Sequence, residues 1–115
     1  MLTREDTTRL KHMLDHSREA IALLHGKERQ DLDNDRLLQL GLMRLIEIVG
    51  EAASRVSREA ASRYSKIPWP QVVSIRNRLI HGYDFADFDI LWQTITEDLP
   101  PLVTELEAII QKQSE

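Results

Sequence analysis

Apolar side chains recur every three or four residues between positions 38 and 56, and this spacing never breaks along the stretch. The stripe consists of Leu38, Leu42, Leu45, Val49, Ala52 and Val56. Only an α-helix, with about 3.6 residues per turn, places such positions on one face. The stretch therefore predicts an amphipathic helix that begins near Asp33 or Asp35, reaches about Ser57 and buries one face against other helices.

The segment before this helix predicts another of the same kind. Thr3 is the expected N-cap, and Gly26 the expected end, of a helix from about Arg4 to about His25. Its inward face is predicted to carry Leu10, Leu14, Ser17, Ile21 and Leu24. Residues 27–34 are polar and are predicted to form a loop.

The middle of the chain predicts two further helical pieces. A short capped helix or turn starts at Ser57 and closes before the sequence Ile67-Pro68-Trp69-Pro70. Pro70 can occupy the first position of the next helix, because its missing N–H is not needed there. The residues that this helix is predicted to bury are Val72, Ile75 and Leu79.

The C-terminal stripe keeps its phase through the pair Pro100-Pro101, which predicts one helix, kinked at the prolines, that begins near Asp87 or Asp89. Alternation of apolar and polar residues, the pattern typical of strands, appears nowhere over a useful length. The sequence therefore predicts an all-α protein, a four- to five-helix up-and-down bundle formed by one domain over residues 1–115.

The composition of the chain excludes several classes of function. The chain has no cysteine, which excludes disulfides, thiolate catalysis and cysteine-based zinc sites. A net charge of −4 argues against non-specific coating of nucleic acid, although it leaves room for a local basic site. The charged N-terminus is unlike a signal peptide, and no apolar run approaches the ~20 residues that span a bilayer. We therefore expect a cytoplasmic protein that does not associate with membranes.

Gly50 lies inside the predicted central helix, where glycine costs roughly 0.8–1 kcal/mol relative to alanine. Its neighbours Ala53, Ser54 and Ser57 are also small. Such a patch lets another backbone approach closely, either within the bundle or across the interface of a homodimer.

The same helix carries a line of charged residues, Arg44, Glu47, Glu51, Arg55 and Arg58. The favoured interpretation is a solvated face on which opposite charges three or four residues apart pair with each other. The alternative is that Glu47 and Glu51 face a cleft and orient Arg44 or Arg76.

Groups that can bind phosphate and move protons are concentrated between Arg76 and Tyr83. An arginine that holds an anion and a histidine that titrates near neutral pH are what phosphodiester chemistry without a metal requires. On a helix, Asn77 and His81 would share a face, and Arg76 and Tyr83 would lie on an adjacent one. With Gly82 as C-cap, His81 would lie in the last turn, where the helix dipole would tend to raise the pKa of its imidazole.

The histidines do not form a recognisable metal site. His12 and His16 are four residues apart and could share a metal, but surface histidines on a polar helix face are the favoured interpretation. The four histidines, which include His25 and His81, lack a supporting pattern of carboxylates. Neither a metal nor a cofactor is therefore predicted.

The pattern Arg76-Asn77-x-x-x-His81-x-Tyr83 resembles the R-x4-H-x-Y motif of the HEPN superfamily, in particular the HepT-like toxins of HepT/MntA toxin–antitoxin systems. Residues 44–52 resemble the mid-chain helix of that family, which carries a Gly-Glu-Ala element. Residues 67–69, 89–92 and 98–100 resemble further elements in the same order. The resemblance covers nearly the whole chain.

This resemblance implies a HEPN fold that dimerises and places two copies of the motif at a composite cleft. It also implies a metal-independent endoribonuclease in which Arg76 and His81 are catalytic and Asn77 orients His81. Possible contacts to the RNA substrate are Arg78, Arg44 and Arg55.

The family also implies a role for Tyr83 in control. The corresponding tyrosine is the site where a partner nucleotidyltransferase of MNT type, the antitoxin, adds AMP to give O-AMP-tyrosine. Alternatively, Tyr83 stacks on a base or hydrogen-bonds Arg76. A competing function is a non-catalytic HEPN subunit that only binds nucleotides or a nucleotidyltransferase, in which Arg76 grips a phosphate and His81 is incidental.

Overall fold

The computed structural model describes residues 2–81 and 85–113, with the side chains of residues 81 and 85 left out. It is predominantly helical, as predicted. In chain order its elements are α1 (Arg4–Leu24), α2 (Arg29–Asp33), α3 (Arg36–Ser54), α4 (Arg58–Arg63), α5 (Trp69–Val73), α6 (Ile75–Leu79), β1 (Ile80–His81), β2 (Phe85–Ala86), α7 (Phe88–Gln93), a π-helical turn (Thr94–Asp98) and α8 (Leu99–Gln113).

The first helix has the predicted ends. The Thr3 hydroxyl accepts the backbone N–H of Asp6 at 3.0 Å, and Gly26 follows the helix with a left-handed φ of 77°. The predicted loop over 27–34 is wrong, because part of it forms α2. The backbone N–H of Glu28 donates to the Asp31 carboxylate at 2.7 Å, and Leu32 is fully buried, so a cap and one apolar anchor hold this short helix.

The central helix α3 forms the middle of the core. Asp35 caps it by accepting the N–H of Leu38 at 3.0 Å. The helix α3 packs along α1, and α1 also packs along α8, so the first and last long helices are neighbours. The predicted stripe is buried up to Ala52, whereas Val56 lies beyond the end of the helix and is only half-buried.

A buried carboxylate ties the start of α1 to the start of α4. Asp6, which is only 5% exposed, accepts the backbone N–H of Ser57 at 2.8 Å and the Ser57 hydroxyl at 2.6 Å. The same Ser57 oxygen accepts the N–H of Ala60 and so caps α4. Burial acts to raise the pKa of Asp6, but the hydrogen bonds from Ser57 and Thr3 outweigh it and hold this pKa below its ordinary value.

This carboxylate is expected to make stability depend on pH in the acid range. Because the pKa of Asp6 is lower in the folded than in the unfolded chain, its contribution is complete above the unfolded pKa of about 4 and is lost as pH falls through the folded value. Asp6→Asn should lower the free energy of unfolding by roughly 2 kcal/mol at pH 7. That deficit should shrink below about pH 4 in denaturant titrations. Asp15→Asn, exposed on the same helix, is the control, and a deficit that ignored pH would contradict the assignment.

The predicted helix after Pro70 is divided in two at Ser74. All three of its predicted core residues are buried. Pro70 is the second residue of α5, one position later than predicted, and still lies in the first turn, where its missing N–H is not needed. The Ser74 hydroxyl donates to the carbonyl oxygen of Pro70 at 2.8 Å, a local bond of the kind that competes with helix continuation. As a result, α6 is a short helix separate from α5.

The prediction that His81 lies in the last turn of this helix is wrong. The helix ends at Leu79, and Ile80 is extended, with φ −103° and ψ 120°. In the antiparallel pair of β1 and β2, Ile80 lies opposite Ala86 and His81 opposite Phe85. The Asp87 N–H donates to the Leu79 carbonyl oxygen at 2.7 Å and closes this ribbon.

A β-branched residue such as Ile80 fits extended backbone well, and its pairing with Ala86 holds it in that conformation, so the helix ends at Leu79. Since His81 is not helical, the shared face with Asn77 and the effect of the helix dipole on its imidazole both lose their basis. The predicted C-cap Gly82 and Tyr83 lie outside the described residues.

The C-terminal helix continues past the prolines, as predicted, but departs from α geometry just before them. Asp87 caps α7 by accepting the N–H groups of Asp89 and Ile90. In the π-helical turn, the Leu99 N–H bonds to the Thr94 carbonyl oxygen five residues back. Pro100 and Pro101 lack the N–H groups that an α-helix would need here, and the wider turn accommodates that loss.

Gly50 serves contact within the chain. A β-carbon at this position would lie 3.3 Å from the Ile75 side chain and 3.4 Å from the carbonyl oxygens of Val72 and Val73. The missing side chain therefore lets α5 and α6 lie close against α3, and Gly50 offers no surface to a second copy. Along the described residues, no helix is long and apolar enough to cross a membrane.

Candidate active site

The short helix α6 buries the residue at each of its ends and exposes the three residues between them. Ile75 and Leu79 are buried, whereas Arg76, Asn77 and Arg78 are exposed. An anchored helix of this length holds the backbone of its polar residues firmly, because the two buried side chains bracket them. The predicted site residues in this segment are thus on the surface, on a fixed support.

Arg76 is held by a carboxylate from another helix. Its Nε lies 3.0 Å from Oε2 of Glu47 on α3, across 29 residues of sequence. The Arg76 side chain is 52% exposed and that of Glu47 is 35% exposed. A guanidinium carries five N–H groups, so a contact at Nε leaves the four on Nη1 and Nη2 to meet an anion.

Each of the two interpretations of the charged line on α3 holds for one of its acidic residues. Glu51 pairs with Arg55, the residue just after the end of α3, with both Nε and Nη2 of Arg55 2.9 Å from the same oxygen. This is the pairing along a solvated face that was favoured. Glu47 follows the alternative, because its partner is Arg76 and the pair joins two helices.

Arg78 lies on a different side of α6 from Arg76. Its Nη2 is 3.8 Å from Oδ2 of Asp98 in the π-helical turn, at the edge of an open groove of about 390 Å³. Because Arg76 contacts α3 instead, a single copy of the chain does not bring these two predicted arginines together.

The other two predicted RNA contacts, Arg44 and Arg55, line a shallow cavity of about 120 Å³ between α1 and α3. Arg9 and His12 from α1 line the same cavity. Sequence reasoning did not place Arg9 and His12 beside Arg44 and Arg55, because no local spacing signals which residues of α1 lie opposite α3. Arg44 lies one helical turn before Glu47, so this cavity is a neighbour of Arg76 along α3.

The histidine pair on α1 matches the favoured interpretation of surface side chains. His12 is exposed, His16 is half-buried, and Nδ1 of His16 lies 2.7 Å from the His12 carbonyl oxygen. The part of the chain that the structure describes holds no group of three histidine or acidic side chains that could bind a metal.

His81 is placed by its backbone only. It lies in β1, two residues beyond the end of α6, and pairs with Phe85 across the ribbon. Its side chain and the whole of Tyr83 lie outside what the structure describes, so their distances to Arg76 stay predictions.

Known proteins resemble this chain over nearly its full length. The family model described as Ribonuclease HepT-like matches residues 13–109. A protein of Caldanaerobacter subterraneus named "Putative RNase TTE0752" is 32% identical over 104 residues, which cover 90% of this chain and 93% of that protein. "Probable ribonuclease HepT" of Thermococcus cleftensis is 32% identical over 103 residues, which cover 86% of this chain and 94% of that protein.

A third relative, from Methanocaldococcus jannaschii, joins such a segment to a second activity. It is named "Gamma-glutamylcyclotransferase and putative RNase MJ0434" and is 31% identical over 107 residues, which cover 90% of this chain and 48% of that protein. No solved structure matches the chain significantly. From the family model and these identities, the chain belongs to the HepT-like ribonuclease family.

Proposed function

We propose that this chain is a metal-independent endoribonuclease, the toxin of a HEPN/MNT toxin–antitoxin pair, that acts in the cytoplasm. The observation that carries the proposal is the exposed Arg76 guanidinium, held at Nε by Glu47 with its other N–H groups left for a phosphate. His81 follows five residues later in the sequence, beyond the end of α6. The names of the relatives from Caldanaerobacter and Thermococcus support RNA as the substrate.

RNA carries its own nucleophile, so a base, an acid and a positive charge suffice to cleave it. In the proposed reaction one His81 takes the proton of the 2′-OH, and the 2′-oxygen forms a bond to phosphorus. The bond from phosphorus to the 5′-oxygen breaks, and that oxygen takes a proton from the His81 of a second chain. The products are a 2′,3′-cyclic phosphate and a 5′-hydroxyl. Arg76 stabilises the negative charge that grows on the phosphate oxygens.

The mechanism requires a homodimer. Two chains would place two Arg76 and two His81 groups at one cleft, and would bring Arg78 of one chain near Arg76 of the other. Concentrating cations in this way would offset the net charge of −4 on each chain. Full activity from a protein that light scattering shows to be monomeric at micromolar concentration would contradict this part of the proposal.

Three further polar residues have smaller proposed roles. Asn77, exposed beside it on α6, would orient His81 or the substrate. Arg44, on the shallow cavity one turn from Glu47, would bind a neighbouring phosphate of the RNA. Arg55 would add less, since Glu51 already pairs with it.

Cleavage is expected to persist when divalent metals are removed. Purified protein and a defined RNA in excess EDTA should give the same rate, within about two-fold, as in magnesium, because no step in the proposed chemistry uses a metal. The RNA products should carry cyclic phosphates, which end-labelling detects. Loss of activity on chelation that a single divalent ion restores would contradict the mechanism. Binding of RNA without any cleavage would favour the non-catalytic subunit.

Tyr83 is the proposed point of control. A partner nucleotidyltransferase would add AMP to its hydroxyl. The phosphate and base of that AMP would then be attached two residues after His81 and seven after Arg76. The added phosphate would compete with RNA for the Arg76 guanidinium. The modified protein would therefore be inactive.

A further inference from the structure

We infer that Glu47 is a positioning residue for the proposed ribonuclease reaction, and that it acts by fixing the orientation of the Arg76 guanidinium. The inference rests on the proposed function. It is carried by one contact, from Nε of Arg76 to Oε2 of Glu47 at 3.0 Å. Glu47 does not belong to the R-x4-H-x-Y pattern, and 29 residues separate it from Arg76.

The atom that Glu47 contacts determines what the guanidinium can still do. The two Nη nitrogens are the ends of the fork that bind two oxygens of a phosphate at once. A carboxylate on these ends would compete with the substrate. A carboxylate on Nε instead leaves both ends free of Glu47 and restrains rotation of the planar group. The contact therefore has the geometry of a support.

The exposure of the pair argues against a purely structural role. Both side chains are far from buried, and ion pairs this exposed contribute little to folding stability. An arginine on a flexible stem, however, loses much conformational freedom when it binds. If Glu47 already holds the Arg76 side chain in place, the conformational entropy lost by ordering that side chain no longer adds to the activation barrier.

The packing around Gly50 explains how Glu47 comes within reach. Gly50 lies one turn after Glu47 on α3, and the space of its missing side chain is taken by Ile75, the residue before Arg76. The close approach of α6 to α3 at this point sets the distance between the two charged side chains. Glu47, Gly50 and Ile75 thus form one connected support for Arg76.

The test compares three Glu47 variants with a matched control, using a short RNA labelled at both ends. Glu47→Ala removes the carboxylate, Glu47→Asp withdraws it by one methylene, and Glu47→Gln keeps an oxygen that can accept the Nε–H. The control is Glu107→Gln, which weakens the Arg18–Glu107 pair between α1 and α8, another exposed interhelical pair.

We expect Glu47→Ala to lower kcat by about 10- to 30-fold with KM changed less than about three-fold, since Arg76 acts on charge that grows in the transition state. Glu47→Gln should recover most of that loss and Glu47→Asp less. The control should keep the wild-type kcat, and all four variants should keep the wild-type melting temperature. Wild-type kcat in Glu47→Ala would overturn the inference, as would a change in KM alone.

Two further measurements separate positioning from other roles. In an Arg76→Lys background, which keeps the charge but lacks Nε, adding Glu47→Ala should cost less than about two-fold. Equal losses in both backgrounds would overturn the inference. If Glu47 were instead the general base, Glu47→Gln would abolish the reaction and change the acid side of its pH–rate profile, which would also overturn it.

An NMR measurement on the full chain distinguishes failure of this inference from failure of the proposed function. The Nε–H resonance of Arg76, identified by its loss in Arg76→Lys, should be protected from exchange in the wild type and in Glu107→Gln. It should exchange faster in Glu47→Ala. An equal rate of exchange of this Nε–H in the wild type, Glu107→Gln and Glu47→Ala would refute the positioning role. If this resonance responds but the wild type cleaves no RNA, the proposed function fails while the contact stands.

Discussion

Replacing Arg76 or His81 by alanine is expected to reduce RNA cleavage by about 10³-fold, because one change removes the charge that stabilises the transition state and the other the group that moves protons. Neither change should lower the stability of the folded protein. Arg76 is half exposed on a helix held by Ile75 and Leu79, and an exposed ion pair is worth roughly 0–1 kcal/mol. Single-turnover rates and melting temperatures of both variants check the two halves of this prediction.

The control for these variants is Arg63→Ala. Arg63 is an exposed arginine on α4 that pairs only loosely with Glu59, at 3.6 Å, and it has no proposed part in the reaction. The Arg63→Ala variant should cleave RNA at the wild-type rate. A variant of Arg76 or His81 that unfolds would show that the residue is structural. Retained cleavage in a folded variant would remove that residue from the mechanism.

Replacing Tyr83 by phenylalanine is expected to abolish modification by the partner nucleotidyltransferase, since only the phenolic oxygen can take the AMP group. With the wild type, the partner, ATP and magnesium should add mass in steps of AMP to the peptide from Arg78 to Asp89. The variant should show no added mass, and its ribonuclease activity should survive co-expression with the partner. Intact-mass spectrometry and growth of the co-expressing cells measure the two effects.

The remaining tyrosine supplies the control for this experiment. Tyr64 follows α4, is half-buried, and accepts the Trp69 indole N–H at its carbonyl oxygen. Tyr64→Phe should be labelled like the wild type. Equal labelling of wild type and Tyr83→Phe would move the modification site elsewhere. Absence of label on every protein would favour inhibition by a partner that covers the cleft.

The helices were predictable where one physical rule decides the structure. Apolar spacing and a capping residue were enough for α1 and α3, because burial of one face dominates long amphipathic helices. The short elements were not predictable in this way. The helix α2 depends on Leu32 finding a place in the core, and the end of α6 depends on pairing of Ile80 with Ala86. Such tertiary choices leave no periodic signal.

The candidate site could be proposed from residue types, but the arrangement of its residues could not be predicted. Chemistry alone singled out Arg76 and its neighbours, and the structure exposes all those that it describes. The contact to Glu47 was only the less favoured of two interpretations, because a charged residue on a helix face looks the same whether its partner is four or 29 residues away. Which helix packs against which decided that question.

The adjacency of α1 and α8 has a consequence for synthesis of the chain in a cell. Leu10 and Met13 of α1 belong to the same core as Leu106 and Ile109 of α8. The residues of α1 leave the ribosome before α8 is synthesised, so until then the apolar side chains of α1 that face α8 stay exposed to water. An exposed apolar face makes a nascent chain prone to aggregate. This part of the core can therefore close only after α8 has emerged.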